Sequence, residues 1–446
     1  MIGGALRLGR TFAIWRMVGE SRPFSVEFSI CLVLELVNCE HCSYGALLAV
    51  HYPQCGSGSF IWNEGVRGFF WAKRLTGNEE GTWEGSLSRC DPVLDHRRSA
   101  RETFCPNSCH TRQPERAELE NRSIASSCDN VSMRIHDCAP RPAHLKWLLD
   151  SDPAIRWQVM RDLTGEAQGA IAAERSRIAT EGWGAQLLAR QLSAGHWGGG
   201  RHWDLIATWS LVVLKDLGLD PACNQARKMI DRVDKRLVFK PLNNRPYLHG
   251  ETEPCINGRI LGIGAYFKEP NDALANQLLD EQLEDGGWNC EAPKSRRSSF
   301  HTTICVLEGL LEYQRAGRKS GHGSAAVTKA RMRAETYLLE RHMFRSLRTG
   351  EVIDKRWLRF TYPAFWHYDV LRGLDYLRNA GIKPDSRLGE AIETVIERRH
   401  QNGRWPLNLR HPENIPLEME TCVGRASRWN TFRALRVLRW YNGSTW

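Results

Sequence analysis

Within seven positions, His249-Gly-Glu251-Thr-Glu253-Pro-Cys255 gathers an imidazole, two carboxylates and a thiol. Neighbouring carboxylates suit proton transfer, because burial and a charged partner can hold one of them in its acid form at neutral pH. A second polar cluster, His367-Tyr368-Asp369, precedes an otherwise apolar stretch. The candidate proton donors are therefore Glu251, Glu253 and Asp369, with His367 beside the last. The same acids would equally cap the helices that follow them, where a negative charge offsets unpaired backbone N–H groups.

What would position these residues is a repeat. Leu187, Gln191, Gly195 and Trp197 recur at the same offsets as Leu278, Gln282, Gly286 and Trp288, and again as Val395, Arg399, Gly403 and Trp405. The aliphatic and the long polar residue stand four apart, on one helix face. The glycine ends that helix where a positive φ is needed, and the tryptophan pins the turn. A second repeat runs in step with it. Aligned on their leucines, the helices Trp209–Leu217, Ile256–Phe267, Thr302–Tyr313, Trp366–Leu377 and Asn430–Tyr441 put Thr208, Cys255, His301, Phe365 and Trp429 at equivalent positions. Asp152-Pro153 opens a further helix through Ile155, Trp157, Val159 and Leu163. Such periodic helical pairs signal an array.

One set of these helices is amphipathic and its partners are apolar nearly all round, so the pattern predicts an all-α fold of two concentric layers. With five or six pairs, residues 142–446 would close into an α/α toroid, a double-layered helical barrel. Residues 1–140 read differently. They hold nine of the fourteen cysteines and show no sustained period, and they balance 15 Lys+Arg against 16 Asp+Glu. This segment is expected to be a poorly ordered or spurious N-terminal extension, with the functional chain starting near Met133. The competing reading takes Cys39-x2-Cys42 and Cys105-x3-Cys109-His110 as halves of zinc sites, although no paired spacing of the zinc-ribbon kind is present. No apolar run is long enough for a membrane span or a signal peptide. The five cysteines after residue 140 are widely spaced, which fits a reducing cytoplasm. The net charge of +10 arises wholly in the second part. It is spread over helix faces without the interleaved aromatics of a nucleic-acid surface, so no nucleic-acid partner is expected and peripheral contact with an anionic membrane surface is allowed.

The repeats resemble those of the terpenoid cyclase and protein prenyltransferase superfamily, whose helices are stitched by Q-x-x-x-G-x-W motifs; Gln191–Trp197 and Gln282–Trp288 fit that form and Arg399–Trp405 varies it. The resemblance covers about residues 142–441 and is greatest to bacterial squalene-cyclase-like proteins. It implies an isoprenoid-processing enzyme and a hydrophobic polyprenyl substrate inside an apolar barrel, cyclised after protonation by Glu251, Glu253 or Asp369. Trp209, His249, Trp366 and Asn430 would line the substrate, with the aromatic faces stabilising carbocations. The alternative comes from the prenyltransferase branch. There Glu253-Pro-Cys255 falls where an Asp-x-Cys pair binds zinc, and His301 falls at the zinc histidine, giving Glu253, Cys255 and His301 as ligands of a catalytic zinc with one open position. A non-catalytic toroid that binds a lipid or a protein is the third expectation.

Overall fold

The computed structural model describes residues 31–36, 46–51, 133–317 and 321–443. The chain divides into two units, Met1–Pro106 and Asn107–Trp446. In the first, β1 (Cys31–Leu36) and β2 (Ala46–His51) pair antiparallel, with Cys31 opposite His51 and Leu36 opposite Ala46. A strand is therefore present where the sequence offered no period. Leu32, Val33 and Leu34 form a continuous apolar run, which carries no alternation to read. The half-sites Cys39/Cys42 and Cys105/Cys109/His110 lie outside the described residues.

The second unit is mostly helical. Its helices are α1 (Pro142–Leu149), α2 (Pro153–Val159), α3 (Gln168–Ser176), α4 (Gly182–Ala189), α5 (Trp203–Leu217), α6 (Asn224–Arg236) and α7 (Pro254–Tyr266). They continue with α8 (Asp272–Asp280), α9 (Phe300–Arg315), α10 (Gly321–Glu340), α11 (Val370–Asn379), α12 (Gly389–Glu397) and α13 (Arg428–Tyr441). A short pairing of β3 (Val238–Phe239) with β4 (Arg245–Pro246) lies between α6 and α7. No helix among the described residues is long and apolar enough to cross a membrane.

Two kinds of helix alternate, as their sequences require. α6 buries only Ala226, Met229, Ile230 and Val233, one stripe at three- and four-residue spacing. α7 is buried on every side from Pro254 to Ala265, and α9 nearly so. These two pack backbone to backbone: a Cβ at Gly258 would stand 2.6 Å from Cys305 O, so only glycine permits the approach. Local signals set the helix starts. Asp152 accepts from Ala154 N at 2.9 Å and from Trp183 N at 2.7 Å, capping α2 ahead of its first-turn Pro153. Two starts differ clearly from the sequence expectation. The helix expected from Trp209 already begins at Trp203. The helix anticipated from Trp366 begins at Val370, because Phe365 takes φ 49° and Asp369 is the extended N-cap. Trp366 and His367 are consequently loop residues.

The repeated motif works as a staple. Trp197, Trp288 and Trp405 each donate the indole N–H to the carbonyl ten residues earlier, on Leu187, Leu278 and Val395, at 2.7, 2.6 and 2.6 Å. Gln282 Nε2 donates to Gly286 O at 2.7 Å and to Ala330 O at 2.8 Å, tying the turn to α10. Gln191 does the same with Gly195 O and Met229 O of α6. Gly286 has φ 98°, and a Cβ there would lie 2.7 Å from Arg333 O. In the third copy Arg399 reaches instead to Asp137 O at 2.9 Å, next to where His144 of α1 donates to Asn402 O at 3.0 Å.

The buried helices contact one another in series. Trp157 of α2 donates to Leu217 O of α5 at 2.8 Å. α5 packs on α7 and α7 on α9. Arg372 of α11 meets Glu308 of α9 at 2.9 Å, and Arg436 of α13 meets Asp375 of α11 at 2.7 Å. Arg439 of α13 returns to α2 and its π-helical continuation (Met160–Thr164), donating to Asp162 O and Leu163 O at 2.9 and 2.8 Å.

Candidate functional site

The first turn of α7 and the turn after Trp288 bring three ligand-type groups together. Glu253, Cys255 and Cys290 have donor atoms within 4.8 Å of one another. Cys255 Sγ donates to Glu253 Oε2 at 3.5 Å, and Cys290 Sγ contacts Thr302 Oγ1 at 3.4 Å. The two thiols lie within 4.8 Å of each other, and their interaction, with burial, raises the Cys255 pKa and lowers that of Cys290, so Cys290 ionises first. Glu253 is exposed, Cys255 buried and Cys290 half-buried, which leaves one side of the group open to solvent.

The set differs from the expected one. His301 is not a member; Cys290 stands in its place. His301 lies in the first turn of α9, but its Nδ1 accepts from Tyr368 N at 2.8 Å and its ring packs edge-on against Trp366 and Trp357. Burial and the nearby His367 push its pKa down to about 4, so it is neutral and built into the loop before α11. Equivalent register brought Cys255 and His301 to the same end of adjacent helices but not to one point.

His367, His411 and Glu413 form a second group with atoms within 4.8 Å. His367 Nε2 contacts Glu413 Oε1 at 2.8 Å, and Trp366 Nε1 donates to the same carboxylate. The two imidazole planes are 4° apart with centroids 3.5 Å apart. Rings stacked in this way keep their in-plane lone pairs in two separate parallel planes, which do not meet at one ion. This group is a histidine–carboxylate network rather than a metal site.

The candidate acids separate by environment. Glu251 accepts from Thr252 N and Glu253 N at 2.6 and 2.8 Å, which is a capping role. Asp369 is 2% exposed and caps α11 through Arg372 N at 2.8 Å. Burial raises its pKa to about 6, and its Oδ2 has no partner among the described residues. Asn430 is fully buried and donates to Phe360 O and Pro406 O, a structural task. His249 is exposed, and Trp209 is buried against Phe365 with ring centroids 5.6 Å apart.

A cavity of about 540 Å³ lies among the buried helices. Its walls depart from the apolar lining that the resemblance implies. Arg259 and Arg372 both bind Glu308, and Arg433 and Arg436 both face Asp375. None of Asp369, Trp209, His249, Trp366, Asn430 or the two glutamates lines it. Arg259 is the single charge on an otherwise apolar helix, and that isolation was an available signal, since a lone buried charge must be paired or bind something. Arg372, Arg433 and Arg436 gave no such signal, because their helices carry other charged residues. Cys290 was missed because it belongs to a turn, outside the helical register.

No family model matches the chain, and no curated protein matches it. Among solved structures, the crystal structure of a protein from Actinoplanes is similar at 16% identity and a TM-score of 0.32, over 70% of this chain and 99% of that one.

Proposed function

We propose that this chain is a zinc-dependent enzyme with prenyltransferase-like chemistry, its metal held by Glu253, Cys255 and Cys290 in an α/α toroid. The observation that carries the reading is the convergence of one carboxylate and two thiols within 4.8 Å. Carboxylate and thiolate are both zinc donors, and three protein ligands with an open side is the pattern of catalytic rather than structural zinc. When bound, zinc would act as a Lewis acid that lowers the proton affinity of a substrate thiol or water. The protein's own part is to give up the two thiol protons of Cys255 and Cys290, to hold Glu253 at the solvent side, and to fix Cys290 through Thr302. The toroid is supported by the serial contacts of the buried helices and by the return of α13 onto α2.

Acid-initiated cyclisation of a hydrocarbon is less favoured. Asp369 has a fitting pKa, but it does not line the cavity, and guanidinium groups on the wall would raise the energy of a carbocation. An apolar isoprenoid chain would instead approach the open side near α7, where peripheral membrane contact is compatible with it.

Metal analysis by mass spectrometry of the purified protein tests the reading. One zinc per chain is expected, lost from Cys255→Ala and Cys290→Ala and retained by His301→Ala. Retention in Cys290→Ala with loss in His301→Ala would restore the ligand set expected from the repeat. Zinc-free protein would sink the enzyme as described.

A further inference from the structure

The central cavity carries a second inference, independent of the metal. Eight of its lining residues are cationic (Arg161, Arg175, Lys215 and Arg259 among them) and five are acidic, an excess of three positive charges. Asp162 and Arg378, which pair with each other just behind the wall, leave that balance unchanged. Arg161 and Arg315 are partly exposed, at 40 and 48%, but four of the eight are withdrawn from solvent. The side chains of Arg259, Arg372, Arg433 and Arg436 are 4, 5, 7 and 9% exposed.

Their ion pairs do not neutralise them. Glu308 alone answers both Arg259 and Arg372. Asp375 is shared by Arg436, at 2.5 Å, and Arg433, at 3.7 Å, while Arg436 also meets Asp162 at 3.3 Å, a carboxylate already shared with Arg378. Burial also pushes the Glu308 carboxyl up, which works against full neutralisation. The Nε–H of Arg259 has no acceptor among the described residues. Uncompensated buried charge is costly, and a guanidinium is a rigid fork of donors matched to oxyanions. A cavity of this volume holds a small organic molecule.

We infer that the central cavity binds a compact small-molecule polyanion, a dianion or higher, through Arg259, Arg372, Arg433 and Arg436. Phosphate monoesters and dicarboxylates share this chemistry. Neutral hydrocarbons do not.

Isothermal titration calorimetry of the full chain at fixed ionic strength tests it, with glycerol 2-phosphate and succinate as separate probes and acetate as the monoanion control. Saturable binding of one dianion per chain is expected, with acetate at least about tenfold weaker. The tighter of the two dianions identifies the source. Arg433→Gln, which removes the loosest of the four pairs, should weaken binding about tenfold. Arg315→Gln, on the half-exposed edge of the cavity, tolerates substitution and should weaken it a few-fold if the first variant does not fold. Arg333→Gln, outside the cavity, should have no effect. Cys290→Ala should bind normally, which separates this site from the metal. Absence of saturable binding by either dianion, or affinity unchanged in Arg433→Gln and Arg315→Gln, would overturn the inference.

Discussion

At the scale of single residues, burial divides the candidate acids more sharply than position does. Glu251 and Glu253 remain near water, so their carboxylates serve as caps or ligands. Asp369 is enclosed, and desolvation lifts its pKa to about 6 from an ordinary 3.8. The sign of the consequence follows. The folded state holds this proton more tightly than the unfolded state, so the group is neutral to stability below about pH 4 and costs stability as pH rises to about 6. Above that the cost levels off near about 3 kcal/mol. Asp369→Asn keeps an oxygen to cap Arg372 N and removes the charge. It should therefore stabilise the protein by about 1–3 kcal/mol at pH 8, with the gain disappearing at pH 4. Urea unfolding at the two pH values reads this directly, and equal effects at both would show that desolvation is not what raises the pKa.

At the scale of elements, the staples explain why a four-residue pattern could be read from sequence at all. Each of the three copies solves the same local problem: a helix end leaves carbonyls unpaired, and the indole N–H ten residues on satisfies one of them. In the first two copies the glutamine amide satisfies two more, one of them on the neighbouring helix. Gln282→Ala should cost about 1–2 kcal/mol through loss of the bonds to Gly286 O and Ala330 O. Trp288→Ala, which empties a fully buried site, should cost about 3–5 kcal/mol. Thermal unfolding of the two variants checks the ordering. A larger loss in Gln282→Ala than in Trp288→Ala would mean that bridging to α10, rather than filling the turn, dominates. Arg399 shows the limit of such reading. Its hydrogen bond to Asp137 O crosses 262 residues, and nothing local in the sequence announces it. The helix expected from Trp366 failed for a related reason, because the left-handed Phe365 and the cap at Asp369 leave the apolar pattern intact while moving its start.

At the scale of the whole second unit, the functional groups come from pairings at long range. Arg259–Glu308, Arg372–Glu308 and Arg436–Asp375 are separated by 49, 64 and 61 residues. Those separations are close to the repeat itself, and Arg259 and Arg433 each follow a repeat position by four residues. The register was thus legible, while the chemistry of the cavity required knowing which faces turn inward. The same networks join the chain's late helices to its early ones. Arg436 contacts Asp375 on α11 as well as Gln158 and Asp162 at 3.2 and 3.3 Å. Burial would raise the Asp162 carboxyl, but the hydrogen bond from Arg161 and the charges of Arg436 and Arg378 hold it at about 2. Arg436→Met keeps most of the side-chain volume and removes this junction, leaving buried carboxylates short of a partner. The expected loss is about 3–5 kcal/mol. Because α13 is one of the elements that hold α2, beside α5, hydrogen exchange should accelerate at residues 153–159 before it does in α9, and Arg436→Met/Asp375→Leu should recover part of the stability. Uniform acceleration across both helices would mean that the return of α13 onto α2 is incidental to how the helices cohere, and the proposal of a closed toroid would lose its main physical support.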